Sequence, residues 1–420
     1  MEHGKWVEFR PISSITNDGP IEFNVTATDE DYTDIGRTYL YLQATIHKDV
    51  AAHGNEAAVR GAQVANVDQV APVNLWMHSL FAQVDVKLNG TIITPSSNTY
   101  PYRAYLEKLL TYGSNAKDTQ MSMEGWFKDD ANKFDNTEID GAGANSGFKA
   151  RHELVTQRAS VEFTGRLHCD LFQQDKYLPN GLEMNVSLVR SKDAFSIQYA
   201  EEARTSYRVH IENAVLYVRR VKLNPSIQLE HEKRLNDARN AKYPLRRVNV
   251  KTFTISANTR SCVQDNVIQG QLPRRVVLGL VNHDNFNGTT ASNPFQFNHF
   301  NLNYLKLYVD GEGTQPFRPN FTNKQYMRSY RSLFEGTGML YDDRGNNISR
   351  QDYPNGYMLH VFDLSNDMAE GDHMDPIRHG NLRIELQFAD VLATTVNCIL
   401  YCEYDNILQI DRARNVITDY

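Results

Sequence analysis

With 420 residues the chain is too long for one ordinary core and fits two units of about 200 residues, each able to bury a stable interior. Charged residues at 23%, a mean hydropathy of −0.53 and no apolar run near the ~20 residues of a membrane helix imply a soluble protein without a membrane-spanning segment. A net charge of −7 argues against a surface that grips nucleic acid throughout, because such binding rests on neutralising phosphates; any polyanion contact is expected to be local.

The first residues, Met1-Glu2-His3-Gly4-Lys5-Trp6, lack the basic and apolar regions of a signal peptide, so synthesis in cytosol or nucleus is expected. A strand is predicted at 21–27, where Ile21, Phe23 and Val25 alternate with Glu22, Asn24 and Thr26, and another at 38–48. A helix at 73–81 precedes a strand in which Val84, Val86 and Leu88 alternate with Asp85 and Lys87 and which ends in Asn89-Gly90. A helix follows at 100–112, closed by Gly113. Strands at 161–169, 182–189 and 207–223 complete this half, the last with a bulge near Glu212-Asn213 where its alternation changes phase. Asn224-Pro225 then opens a polar helix reaching about Asp237, and Pro244 ends the connector. Further strands are predicted at 248–257, 275–281, 300–310, 357–364, 382–388 and 396–410, with a helix at 323–334.

The second half repeats the first in order. Leu305, Leu307 and Val309 alternate with Lys306 and Tyr308, end in Asp310-Gly311 and lead to a helix whose Arg328-Ser329-Tyr330 echoes Arg103-Ala104-Tyr105. Phe23 aligns with Phe253, Leu182-Glu183-Met184 with Leu382-Arg383-Ile384, and Leu216-Tyr217 with Leu400-Tyr401. Two runs of short strands with little helix indicate two antiparallel sandwiches. Two long polar insertions, 49–69 and 114–157, interrupt the first; aromatics such as Trp126 and Phe127 in the second imply that it orders against a neighbour, in this chain or in another subunit.

No linear motif announces chemistry. The histidines form no His-Glu-x-x-His pair, and His168 and Cys169, adjacent in a strand, point to opposite faces. No nucleophile elbow or phosphate loop is present, and Cys169, Cys262, Cys398 and Cys402 lack metal or redox spacing. We therefore expect no catalytic residues, metal or cofactor, and reduced, packed cysteines.

The run Pro72-Val73-Asn74-Leu75-Trp76-Met77-His78-Ser79-Leu80-Phe81, then Val84 to Gly90, then Asn98-Thr99-Tyr100-Pro101-Tyr102-Arg103-Ala104-Tyr105, resembles the major capsid proteins of the Polinton (Maverick) and adintovirus group. So does the connector, with His231-Glu232-Lys233 and Asn240-Ala241-Lys242-Tyr243-Pro244, and the strand after it. The resemblance runs from Pro20 to about Ile410. It implies an all-β double jelly roll, two consecutive eight-stranded antiparallel sandwiches with a few short helices. It also implies a homotrimer that forms pseudo-hexagonal capsomers and tiles an icosahedral virion shell, without enzymatic activity. The implied partners are neighbouring capsomers and the penton and minor capsid proteins, with weak contact to packaged DNA. The chain would be made in host cytoplasm, assembled in the nucleus and found in the virion.

On that basis the chain divides into an N-terminal tail (1–19), a first jelly roll (20–224), a helical connector (225–247), a second jelly roll (248–412) and a C-terminal tail (413–420). Trp6, Phe9, Trp126 and Phe127 are candidate inter-subunit contacts, the first two on a tail anchored beneath the shell. Lys233, Arg234, Arg239 and Lys242 form either a genome-side basic patch or one face of a solvated connecting helix. Ile139-Asp140-Gly141-Ala142-Gly143 has the form of a maturation-protease site, a match better assigned to chance. A two-sandwich carbohydrate- or protein-binding module is the competing reading.

Overall fold

Each of the first eight principal strands recurs eight strands later, in the same sheet position. The structure, a computed structural model, describes residues 1–52, 57–95, 97–200, 204–365 and 376–418. The first half contains β1 (His3–Phe9), β2 (Ile21–Val25), β3 (Asp31–Val50), β4 (Phe81–Leu88), β5 (Thr91–Ile92), β6 (Val161–Gly165), β7 (Met184–Arg190) and β8 (Thr205–Lys222). The second contains β9 (Ala241–Ile255), β10 (Ser261–Gln271), β11 (Arg275–Asn282), β12 (Leu302–Val309), β13 (Glu312–Gly313), β14 (Leu359–Asp363), β15 (His379–Phe388) and β16 (Val396–Ile410). One sheet of the first half runs β1-β8-β3-β6 and faces β2-β7-β4-β5; the second half gives β9-β16-β11-β14 and β10-β15-β12-β13. All these pairings are antiparallel, and adding eight to every label converts one half into the other.

The duplication holds at atomic detail. Asn89-Gly90 and Asp310-Gly311 each make a two-residue hairpin with both residues at positive φ, 44° and 81° in the first, 50° and 86° in the second. Such a turn matches strand twist and favours Asn or Asp before Gly. The Asn89 amide donates to the Glu183 carbonyl (3.0 Å), and the Glu183 amide donates back to Asn89 Oδ1 (2.8 Å). Asp310 and Asn381 repeat both bonds at 3.0 and 2.7 Å.

This correspondence corrects the expected alignment. Phe23 lies on β2 and Phe253 on β9, but the counterpart of β9 is β1. The N-terminal tail is likewise corrected, because His3–Phe9 pairs with β8 from His3↔Lys222 to Phe9↔Leu216 and forms the edge strand of the first sandwich. The connector is shorter than expected: a helix spans Pro225–Asn236, capped by Asn224 Oδ1 on the Ser226 amide, and β9 begins at Ala241. Pro244 sits inside β9, which tolerates it because β9 is an edge strand and the missing N–H leaves no ladder bond unmade. In the expected C-terminal tail, Val416–Thr418 adds a short strand to β16, while 419–420 lie outside the described residues. Within the 49–69 insertion, Val59–Gln63 pairs with β3, and residues 53–56 lie outside the described residues. The bulge in β8 falls between Ile211 and Asn213, as its change of phase required.

Each sandwich has its own core. Phe23, Leu40, Leu42, Val86, Val186, Leu188 and Leu216 fill the first. Val277, Leu280, Leu305, Leu307, Ile384, Leu386 and Leu400 fill the second. The second core also receives side chains from the first half: Tyr102, Tyr105, Leu106, Leu109 and Trp126 all join it. The first half therefore reaches across the seam and completes the interior of the second.

Candidate functional site

The seam is built by α1 (Trp76–Ser79), α2 (Tyr100–Thr111) and the 114–157 insertion, which contains a 3-10 turn at Gln120–Glu124 and a helix at Ser146–Val155. Pro101 in its first turn starts α2, and apolar side chains on more than one face let it lie between two sandwiches rather than upon one. Tyr105 stacks flat on Phe295 of the second half, ring centroids 4.3 Å apart and planes within 1°. Tyr102 stacks on Phe286 at 5.5 Å and donates a hydrogen bond to the Pro294 carbonyl.

Ionised groups are buried with these rings. Arg103 bonds Glu107 at 2.9 Å and Asp170 at 2.7 Å, and Asp170 in turn accepts the Val248 amide of β9. Burial would raise Glu107, but the Arg103 guanidinium and then His168 outweigh it and hold the carboxyl at about 2. Burial lowers His168 to about 4, with Glu107 opposing the shift only in part, so its imidazole is neutral at pH 7. Glu124 accepts from Lys108 (2.9 Å) and pairs with His78 Nε2 (3.0 Å), which against the effect of burial hold it at about 2. A cavity of about 360 Å³ opens beside this network, lined by Glu107, Lys108, His168, Arg246, Arg275 and Tyr401.

A second network lies deeper. Arg151 and Asp129 are fully buried and paired at 2.6 Å. Arg151 also donates to the carbonyls of Pro72 and Phe127, while Asp129 accepts from Asn145 and, across the seam, from Asn293 at 3.2 Å. Tyr357 of the second half donates to the Asp129 carbonyl at 2.5 Å.

The residues singled out from the sequence are scattered over the molecule. Trp126 is only 2% exposed and belongs to the second core, so the insertion orders against its own chain; for this residue the expected inter-subunit contact is corrected. Phe127 is half-buried, its amide held by Asn74 Oδ1. Phe9 is half-buried against the first core, whereas Trp6 is 49% exposed on the outer face of β1 with its ring edge on Tyr39. Lys233, Arg234, Arg239 and Lys242 are all exposed, on the connector helix, the link after it and the start of β9, and the last three line a cavity of about 580 Å³ with Tyr32, Tyr177 and Tyr243. Nothing in the sequence brings the seam residues His78, Arg103, Glu107, Glu124, Asp129 and Arg151 together, because they are far apart along the chain. Polar side chains on an amphipathic helix or in a polar insertion ordinarily face water.

No protein-family model matches the chain. Over 427 aligned residues it is 24% identical to an uncharacterized protein of Caenorhabditis elegans, covering 100% of this chain and 98% of that protein. Among solved structures it is similar to a chain of the Sputnik virophage, with a TM-score of 0.68 and 13% identity over 100% of this chain and 88% of that one. The fold is a double jelly roll. A chain of the PBCV-1 virus capsid (TM-score 0.59, 10% identity, 100% and 96% coverage) and the mavirus major capsid protein (0.57, 10%, 99% and 90%) share it. At these identities the likeness is one of fold.

Proposed function

We propose that the chain is a major capsid protein of the Polinton (Maverick) and adintovirus group, a non-enzymatic subunit that trimerises into pseudo-hexagonal capsomers and tiles an icosahedral shell. The observation that carries this reading is the unequal surroundings of two equivalent helices. The helix α2 follows β5 and is buried on nearly every side, because the second jelly roll covers what the first leaves open. Its counterpart after β13, Met327–Glu335, buries only Ser329, Ser332 and Leu333. Met327, Arg328 and Arg331 on it are exposed, and Tyr341 just beyond is 93% exposed.

A chain whose halves share one fold closes about a threefold axis when the second half of one copy meets the first half of the next as its own halves already meet. The helix at Met327–Glu335 then lies against a neighbour's first jelly roll, and six similar units surround the axis. Six-sided units pack edge to edge, which is how such a trimer tiles a shell. The exposed Trp6 and the edge of β1 are left for neighbouring capsomers and for penton and minor capsid proteins. Lys233, Arg234, Arg239 and Lys242 supply a local cationic surface for weak contact with packaged DNA despite the negative net charge. The protein's place is the virion, with synthesis in host cytoplasm and assembly in the nucleus.

The helix face gives the test. Arg331→Glu combined with Tyr341→Asp should weaken the trimer by roughly 30-fold or more, the scale of a contact worth about 2 kcal/mol. Light scattering across a dilution series reads the effect as dissociation to monomer, with the circular dichroism spectrum unchanged. A trimer that dissociates like the parent would place the inter-subunit contact elsewhere.

A further inference from the structure

We propose that His78, Glu124 and His168 form a binding site for a divalent transition metal of the zinc class, where the 114–157 insertion closes on the first jelly roll. All three residues are buried, and the atoms they offer, one from each, lie within 4.8 Å of one another. Nε2 of His78 is 3.0 Å from Oε2 of Glu124. The two imidazole rings stand edge to face, centroids 4.7 Å apart at 84°. Two imidazoles and a carboxylate are an established ligand set for zinc, with a fourth position left to solvent. His168 also lines the 360 Å³ cavity, while His78 and Glu124 lie behind it.

The second observation is independent of the clustering. Nε2 of His168 is buried and has no hydrogen-bond partner, which ordinarily carries a desolvation cost. Its other ring nitrogen, Nδ1, is bonded to Glu107, so the proton resides there and the lone pair is on the unpartnered Nε2, in a residue clustered with Glu124 and His78. A carboxylate behind a histidine whose far nitrogen is bare is the usual support of a metal-bound imidazole. His78 is backed in the same way, its Nδ1 lying 2.8 Å from the Tyr100 hydroxyl. Moving the His78 proton from Nε2 to Nδ1, where the Tyr100 oxygen accepts it, frees the second nitrogen without changing net charge.

Lys108 is the opposing feature. Its ammonium is 2.9 Å from Glu124, but it takes Oε1 and leaves Oε2 to the cation. Glu107, Glu124 and Asp170 outnumber Arg103 and Lys108 in this network, so the surroundings carry one net negative charge before a cation arrives. Metal–ligand distances near ~2.0–2.2 Å require the three ligands to draw inward by roughly 1 Å, within the reach of side-chain rotation. The metal would tie Glu124 of the insertion to His78 of α1 and to His168 just beyond β6, bracing the part of the first half that enters the second core.

The test uses the full-length protein, stripped with chelator and titrated with zinc chloride by calorimetry and with cobalt(II) by absorption. One zinc per chain and the visible bands of tetrahedral cobalt are expected, and His168→Gln should weaken binding by more than ~100-fold. Glu107→Gln, which leaves all three ligands in place, should weaken it by 10–100-fold and remain informative if His168→Gln fails to fold. The proposal is overturned if no stoichiometric zinc binds, or if both variants bind zinc as the parent does, which would assign the metal to surface histidines such as His47 and His210.

Discussion

Asp129→Ala is expected to destabilise the protein by about 3–5 kcal/mol, the cost of leaving a buried charge without its partner. Arg151 is fully buried, and its remaining bonds, to the carbonyls of Pro72 and Phe127, satisfy its geometry but not its charge. The same substitution releases Asn145 and Asn293, so the insertion loosens from its own jelly roll and from the second together. Asp129→Ala combined with Arg151→Met should be milder than the sum of the single variants, because no uncompensated charge remains. Equilibrium urea unfolding of the four chains measures the difference. Additive losses would mean that the two residues contribute separately and that the seam is not held through this pair.

A pH-dependent term comes from Lys117. Its ammonium donates to the carbonyls of Leu109 at the end of α2 and Asn346 of the second half, at 2.7 and 2.5 Å, and lies over the Trp126 ring. Burial, reinforced by the nearby charge of Lys128, lowers its pKa from 10.5 to about 7. Between those values the folded chain has released a proton that the unfolded chain retains. The contribution of Lys117 therefore makes stability rise with pH from 7 toward 10.5, by up to about 1.4 kcal/mol per unit, and be lowest below pH 7. Buried tyrosines and cysteines act in the opposite sense, but they cancel when the parent is compared with Lys117→Met. The parent's urea midpoint should gain on that of the variant between about pH 7 and pH 9. A constant difference between them would show that Lys117 stays charged.

What could be read from the sequence was whatever rested on local rules. The strands before Asn89-Gly90 and Asp310-Gly311 were legible because a period of two and a turn demanding positive φ agree at both places. β1 was missed because only Val7 and Phe9 turn inward; its place is held by backbone bonds to β8, to which side chains give little clue. β10 is mostly exposed or half-exposed and is broken by an irregularity between Gln264 and Ile268, so its alternation is weak and the alignment slid to Phe253 on the preceding strand. The seam was hidden for a different reason. Arg103, Glu107 and Lys108 look like the wet side of α2, yet Arg103 and Lys108 are buried and all three are paired with Asp170, His168 and Glu124, residues distant in sequence. Trp126 was recognised as needing a partner, yet only the folded chain identifies that partner as the second core.

The most direct test of the capsomer account is the mass of the purified chain by light scattering, followed by negative-stain imaging of the same peak. Closure of the exposed Met327–Glu335 face by a neighbour's first jelly roll predicts a particle of about 144 kDa, three times the 48.0 kDa chain, with a six-lobed outline. A stable 48.0 kDa monomer under several salt conditions would contradict it and leave a duplicated fold without the assembly proposed to explain its duplication.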